Sequence, residues 1–245
     1  MTQKKLVAML FAAGLGTRLK PFTDKHPKAL AIVNGKTLLQ RNIEYLQSYG
    51  IKKVIVNVHH FADQIIKIIK DNKGWGSEVL ISDEQDIVLE TGGGLVKAKE
   101  LLLPSEHILL MNVDILTNLN IETFYNNHIQ NNVLISLAVA ERKTSRYFVF
   151  NKSNLLVGWL NESTNETRGI ELFDDNIHQK LAFSGIHIID SKIFSLIQQK
   201  GKFSLVDVYL DLMKENKIIA YNHSSDQFID VGKPESIVKA ALMFN

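Results

Sequence analysis

Over its first 132 residues the chain alternates apolar stretches of strand length with amphipathic stretches of helix length, a pattern that admits few folds. Residues 6–11, 54–58, 78–81 and 108–111 read as strands. Residues 37–49, with apolar side chains at 38, 39, 43 and 46, read as a helix stopped by Gly50. Residues 62–70 and 94–103 read as further helices, the second ending near Pro104. Strands joined through helices run parallel, and the helices cover both faces of the sheet they cross. The expectation is an α/β fold with a doubly wound, mostly parallel, Rossmann-like sheet. Ligands on such sheets bind outside the carboxyl ends of the strands.

The pattern changes after residue 132. Segments 133–140, 147–150, 155–160 and 181–189 are strand-like with few helices between them, which predicts an antiparallel addition. Residues 161–175, rich in Asn, Glu, Ser and Thr, read as a mobile loop. Helices are expected over 191–199 and 205–215, a strand over 218–221, a last strand reaching Asp230, and a closing helix that begins with Pro234. One catalytic domain over 1–245, with parts 1–132 and 133–245, is the resulting division.

A hydrophobic content of 45% over 245 residues can bury a sizeable core. The formal charge of +2, from 28 basic and 26 acidic residues, leaves no global field for nucleic acid, so any polyanion site is local. The absence of cysteine excludes disulfides and thiolate metal sites and fits a reducing compartment. Two lysines in MTQKK precede an apolar stretch in the manner of a signal peptide, but that stretch ends in a glycine loop and reads as a buried strand. No segment reaches the roughly 18 apolar residues of a membrane span. A cytoplasmic protein with neither nucleic-acid nor membrane partners is expected.

The first strand runs into Ala12-Ala13-Gly14-Leu15-Gly16-Thr17-Arg18, and Pro27-Lys28 follows a proline-containing loop. Gly14 and Gly16 can adopt positive φ and bring backbone N–H groups to an anion, while Arg18 and Lys28 supply charge for a polyphosphate. Between residues 13 and 28 the bases Arg18, Lys20, Lys25 and Lys28 face one acid, Asp24. A dinucleotide fingerprint would need glycine where the chain has Leu19, and no Gly-Lys-Ser/Thr follows Gly16 as a Walker A loop requires. Asp114 and Asp230 each end an apolar stretch, where a carboxylate can face a cleft and hold Mg²⁺ together with phosphate oxygens.

Gly14-Leu15-Gly16-Thr17-Arg18, Pro21-Phe22-Thr23 and Pro27-Lys28-Ala29-Leu30 together resemble the signature of the sugar-1-phosphate nucleotidyltransferases. Leu89-Glu90-Thr91-Gly92-Gly93-Gly94, Asp114, Phe183-Ser184-Gly185-Ile186 and Asp230-Val231-Gly232 extend the likeness over almost the whole chain. Members join a nucleoside triphosphate to a sugar 1-phosphate, giving a nucleoside diphosphate sugar and pyrophosphate. The LETGGG and FSGI segments are most similar to the N-acetylmuramic acid 1-phosphate uridylyltransferases of cell-wall recycling, followed by the short mannose-1-phosphate guanylyltransferases.

The resemblance implies a nucleotide-binding part (1–132), a sugar-binding part (133–245) and no C-terminal β-helix. It implies Arg18, Lys28 and Asp114 as catalytic residues and Asp114 with Asp230 as the Mg²⁺ ligands. Ala12, Ala13, Gly14, Gly16, Thr17, Arg18, Lys28, Gly92, Gly93 and Asn112 would bind the nucleotide, with the GGG turn packing on the base. Asn161, Glu162 and Gly185 would bind the sugar phosphate. Oligomeric state is left open between monomer and small homo-oligomer.

Relatives commonly carry glycine before the first metal aspartate, where this chain has Val113; a Tyr-Gly pair is here Tyr147-Phe148. Ser163 replaces the lysine of a Glu-Lys-Pro sugar motif, which leaves the second phosphate-binding cation open among Arg146, Arg168 and Lys180. His59, His60 and Asp63 read as a polar strand-to-helix connection rather than a metal cluster. Competing functions are guanylyl transfer to a mannose- or heptose-type 1-phosphate, cytidylyl transfer to phosphocholine, and a silent sugar-nucleotide sensor. The sensor would have lost Arg18, Lys28 or one of the aspartates, and all are present.

Overall fold

The computed structural model describes residues 6–84, 86–103 and 105–244. The expected helix stop at Pro104 and the MTQKK lysines lie outside them. In chain order the first part comprises β1 (Val7–Phe11), β2 (Ile32–Val33), β3 (Lys36–Thr37), α1 (Leu38–Ser48), β4 (Lys53–Val58), α2 (Ala62–Asp71) and β5 (Glu78–Asp83). There follow α3 (Glu90–Lys97), α4 (Lys99–Leu102), β6 (His107–Asn112), β7 (Ile115–Thr117) and α5 (Ile121–Asn131). The second part holds β8 (Ile135–Ala140), β9 (Arg146–Asn151), β10 (Leu156–Asn161), β11 (Glu166–Arg168) and β12 (His178–Asp190). It closes with α6 (Ile193–Leu196), α7 (Leu205–Leu212), β13 (Ile218–Asn222), β14 (Phe228–Asp230) and α8 (Pro234–Met243).

Ten strands form one sheet with the path β11-β10-β9-β12-β6-β1-β4-β5, while β8 pairs with β12 and β13 with β8. The strands β6, β1, β4 and β5 are parallel, as the βαβ alternation requires. The long β12 joins the halves: residues 186–190 run antiparallel to β6, and residues 178–181 antiparallel to β9. The second half is therefore an antiparallel extension, except that β13 lies parallel to β8.

Alternation along β1 sends Ala8 and Leu10 into one core and Val7 and Met9 into the other, because successive strand side chains point to opposite faces. The first core is closed by Leu39, Ile43 and Leu46 of α1, Ile65 and Ile69 of α2, and Phe124 of α5. Leu95, Leu102, Ile193 and the α7 residues Leu205, Val208 and Tyr209 close the second. A third cluster joins Leu19, Ala31 and Val33 of the glycine-loop region to Leu116, Val231 and Ala240. Burying Leu19 at 1% relative exposure anchors the loop against β7, β14 and α8, which brings Arg18 to Asp230.

Several elements differ from the sequence expectation. The predicted mobile loop contains β11, which pairs with β10 through Trp159–Arg168, Leu160–Thr167 and Asn161–Glu166. The helix expected over 191–199 is the single turn α6, and α3 begins at Glu90, so the three glycines lie inside it. β2, β3, β7 and α5 are additional. No described helix is long and apolar enough to cross a membrane.

Candidate active site

The glycine loop leaves the carboxyl end of β1 and is shaped by short-range bonds. Gly16 has φ of +62°, and an added Cβ would come within 2.9 Å of Thr23 Cγ2 and 3.0 Å of Lys28 Cβ. Glycine meets both demands, the left-handed backbone and the tight packing. Its carbonyl accepts from the Leu19 amide at 2.9 Å and from Thr23 Oγ1 at 3.0 Å, folding Thr17–Leu19 into a 3-10 turn. Gly14 differs from expectation: its φ is not positive, but open space surrounds the place a Cβ would take. Thr17 is exposed, and Ala13 is buried.

Another 3-10 turn, Lys28–Leu30, buries Ala29 completely and directs the Lys28 ammonium to Asp114. Nζ lies 2.5 Å from Asp114 Oδ2, with the two side chains 17% and 7% exposed. Arg18 Nη2 lies 3.4 Å from Asp230 Oδ2 in a more open pair, 57% and 41% exposed. β7 and β14 run antiparallel with Asp230 opposite Ile115, and the Val231 amide donates to the Asp114 carbonyl at 2.8 Å. Asp114, just before β7, and Asp230, the last residue of β14, thus stand side by side, each facing one base of the signature loop.

Asp230 Oδ1 is buried without a hydrogen-bond partner. Such an atom normally has one. An added Cβ at Gly232 would stand 2.6 Å from this oxygen and 2.6 Å from Arg18 Nη2, so the glycine keeps the space beside the carboxylate clear. The spare oxygen and two carboxylate ends fit a hard cation such as Mg²⁺, which takes one or two protein carboxylates and completes its shell with phosphates and water. Among the described residues no group of three or more acidic, His or Cys side chains could hold a metal.

Support comes from buried polar residues that the sequence reading passed over. Asn57 Oδ1 accepts from the Ala12 amide at 2.7 Å, so that amide is committed to the protein. Asn57 Nδ2 donates to Glu84 Oε1 at 2.8 Å, and the Leu89 amide donates to Glu84 Oε2 at 3.3 Å. Burial pushes the Glu84 carboxyl upward, with these donors opposing. Asn42 Nδ2 donates to the Val113 carbonyl at 2.8 Å and steadies the chain beside Asp114. A lone Asn inside the apolar run 54–58, and another on the apolar face of α1, were the signals for two of these residues.

The three glycines of α3 pack against protein. Added Cβ atoms would lie 2.3 Å from the Phe203 ring at Gly92, 2.2 Å from the Gly201 carbonyl oxygen at Gly93, and 2.7 Å from Glu84 Oε1 at Gly94. The Gly92 amide also donates to the Phe203 carbonyl at 2.9 Å. Close approach is the reason for these glycines, as expected, but the surfaces approached are residues 201–203 and Glu84.

In the second half of the chain Gly185 has φ of +72°, and an added Cβ would lie 2.7 Å from Asn112 Nδ2, which places the β12 backbone against the residue two before Asp114. Glu162 pairs with Lys180 at 2.7 Å, and Lys180 spans the Tyr147 and Phe173 rings. Asn161 Oδ1 accepts from the Ser163 amide at 3.1 Å. Of the candidate second cations, Arg168 is taken by Asp207 at 2.7 Å. No hydrogen bond or ion pair given by the described residues joins Asn161 or Glu162 directly to the Arg18–Asp230 and Lys28–Asp114 centre. Val113 is buried in the first core, away from the cleft. His59 Nδ1 bonds the Glu84 carbonyl, consistent with a polar connection.

A loop carrying two bases, placed at the carboxyl ends of a doubly wound sheet against two aspartates, defines a nucleotide-handling fold. The family model described as "Nucleotidyl transferase" matches residues 7–244, and the chain belongs to that family. Among individual proteins it is similar to an N-acetylmuramate alpha-1-phosphate uridylyltransferase of Neisseria meningitidis serogroup B, 28% identical over 92% of each chain. A protein of the same name from Caulobacter vibrioides is 42% identical over 42% of this chain and 43% of its own length. In structure the chain is similar to HddC from Yersinia pseudotuberculosis complexed with GMP-PN: TM-score 0.78, 23% identity, 98% of this chain and 100% of that one. At that identity the likeness is one of fold.

Proposed function

We propose that this chain transfers a nucleotidyl group from a nucleoside triphosphate to a sugar 1-phosphate, releasing pyrophosphate. The observation that carries this reading is the double pairing of signature-loop bases with strand-end aspartates, Lys28 with Asp114 and Arg18 with Asp230. An incoming triphosphate competes with the aspartates for both bases. Arg18 grips the β- and γ-phosphates and the leaving group; Lys28 meets the α-phosphate and stabilises the charge that grows in the transition state. The released carboxylates of Asp114 and Asp230 would hold Mg²⁺, which when bound neutralises phosphate oxygens. The acceptor is a phosphate monoester and is already a nucleophile. Its oxygen attacks the α-phosphorus in line, the bond to the β-phosphate oxygen breaks, and no general base is required.

Residues 1–132 serve the nucleotide and 133–245 the acceptor. The preferred substrates in this reading are UTP and N-acetylmuramic acid 1-phosphate, supported by the two similar proteins of that name. Such an activity belongs to cell-wall recycling in the cytoplasm. A pyrophosphate-release screen crossing the common nucleoside triphosphates with sugar 1-phosphates and phosphocholine tests it. The expected result is highest turnover with UTP and N-acetylmuramic acid 1-phosphate. Preferred turnover of GTP with mannose 1-phosphate would replace the substrate pair; turnover with phosphocholine alone would overturn the sugar reading.

A further inference from the structure

Arg142, in the turn after β8, has no part in the assignments above. Its Nη2 donates to the Phe183 carbonyl at 2.7 Å, and the guanidinium lies over the Phe228 ring, 5.1 Å from the centroid. Phe183 is two residues before Gly185, whose backbone meets Asn112. Phe228 is two residues before Asp230 on β14, and Asp230 acts electrostatically on the guanidinium. Arg142 therefore stands between the strands that deliver Gly185 and Asp230, on the acceptor side of the centre.

Asp230 acts on Arg142 only from beyond ion-pair distance. Arg18, Lys28, Arg168 and Lys180 each face a carboxylate within ion-pair distance. Arg142 has no such partner among the described residues. Solvent reaches part of the side chain, yet enough protein surrounds the guanidinium that desolvation lowers its pKa, with Asp230 and Tyr147 opposing. A guanidinium has five N–H donors, and the Phe183 carbonyl occupies one. The rest are available to an anion, and the Phe228 ring fixes the plane in which they present.

The proposed reaction brings a doubly charged monoester to a triphosphate, and the repulsion must be offset on the acceptor side as well. Resting on the nucleotidyl-transfer reading, we propose that Arg142 binds the attacking phosphate of the acceptor and holds it in line with the α-phosphorus. The second cation thus comes from the β8–β9 turn, outside the set Arg146, Arg168 and Lys180.

The test is steady-state kinetics of Arg142→Ala and Arg142→Lys with UTP and N-acetylmuramic acid 1-phosphate varied in turn, with melting temperatures as the folding check. Arg142→Ala should raise the KM of the sugar phosphate by about 10- to 100-fold, as expected for a lost charge-assisted contact, and leave that of UTP within about twofold. Arg142→Lys should recover part of the loss. An unchanged acceptor KM, or an equal rise for both substrates, overturns the assignment. If the wild type turns over no substrate pair, the transfer reading fails by itself. Arg142 is then read by titrating both proteins with inorganic phosphate: a rise in melting temperature lost in Arg142→Ala upholds the anion site, and equal or absent rises overturn it.

Discussion

On the proposed nucleotide side of the cleft, Gly16, Arg18 and Lys28 come from one contiguous stretch shaped by its own hydrogen bonds. On the acceptor side Arg142, Glu162 and the β12 residues Lys180 and Gly185 come from separate segments, brought together by antiparallel pairing. The proposed nucleotide side stores charge as two matched pairs, one deep and one open, whereas on the proposed acceptor side Arg142 has no ion-pair partner among the described residues. The site proposed for the triphosphate is thus encoded locally, whereas the one proposed for the second substrate depends on how distant strands register.

Acid should have the largest effect on stability, through one buried histidine in each half of the chain. Burial depresses His128, which bonds Ser136 of β8, to about 4, and His187 of β12 to about 3. In the unfolded chain both titrate near the ordinary histidine value of about 6.5. The unfolded state therefore binds more protons between those limits. Stability is full above about pH 6.5, falls as pH drops, and levels off for each histidine below its folded value, for a loss of several kcal/mol. Urea unfolding from pH 7 to 4 measures this, and a flat profile would contradict the burial of both rings.

The two ion pairs provide a sharper contrast within the nucleotide side. Lys28→Ala strands a carboxylate that is 7% exposed, and should cost about 3 kcal/mol in urea unfolding. Arg18→Ala opens a pair exposed to solvent and should change stability by no more than about 0.5 kcal/mol. Both should lower turnover, so equal stability losses would show that the pairs do not differ in depth. Among the kinetic effects the smallest is expected at Glu162→Ala: a rise of about five- to tenfold in the KM of the sugar phosphate, with that of UTP unchanged. A matching rise for UTP would erase the division between the sides.

Legibility in the sequence follows the same division. The parallel strands are buried on both faces and read as continuous apolar runs, so β1, β4 and β6 were plain. β7 was not, because its three residues become a strand only through β14, over a hundred residues away. α5 carries IETFYNNHIQN, whose asparagines are poor helix formers, and it is held by burial of Ile121, Phe124 and His128. At the site, the signature bases and both aspartates were legible as residue types in a local pattern. Their pairing was not, nor was Arg142, which sits in the charged stretch ERKTSR and gains meaning only from Phe183 and Phe228. The glycine triplet announced a close approach, but Phe203 and Gly201, the surfaces it meets, arrive from the other half of the chain.

In the proposed function the two aspartates and two bases form one nucleotidyl-transfer centre. Its most direct test is the rate of pyrophosphate release from UTP and N-acetylmuramic acid 1-phosphate against Mg²⁺ concentration, for wild type and Asp114→Asn side by side. This exchange removes the charge while keeping the shape. A saturable, metal-dependent rate in the wild type and a turnover roughly 10²- to 10³-fold lower in the variant are expected. Equal Mg²⁺-supported rates in the two proteins would contradict the account.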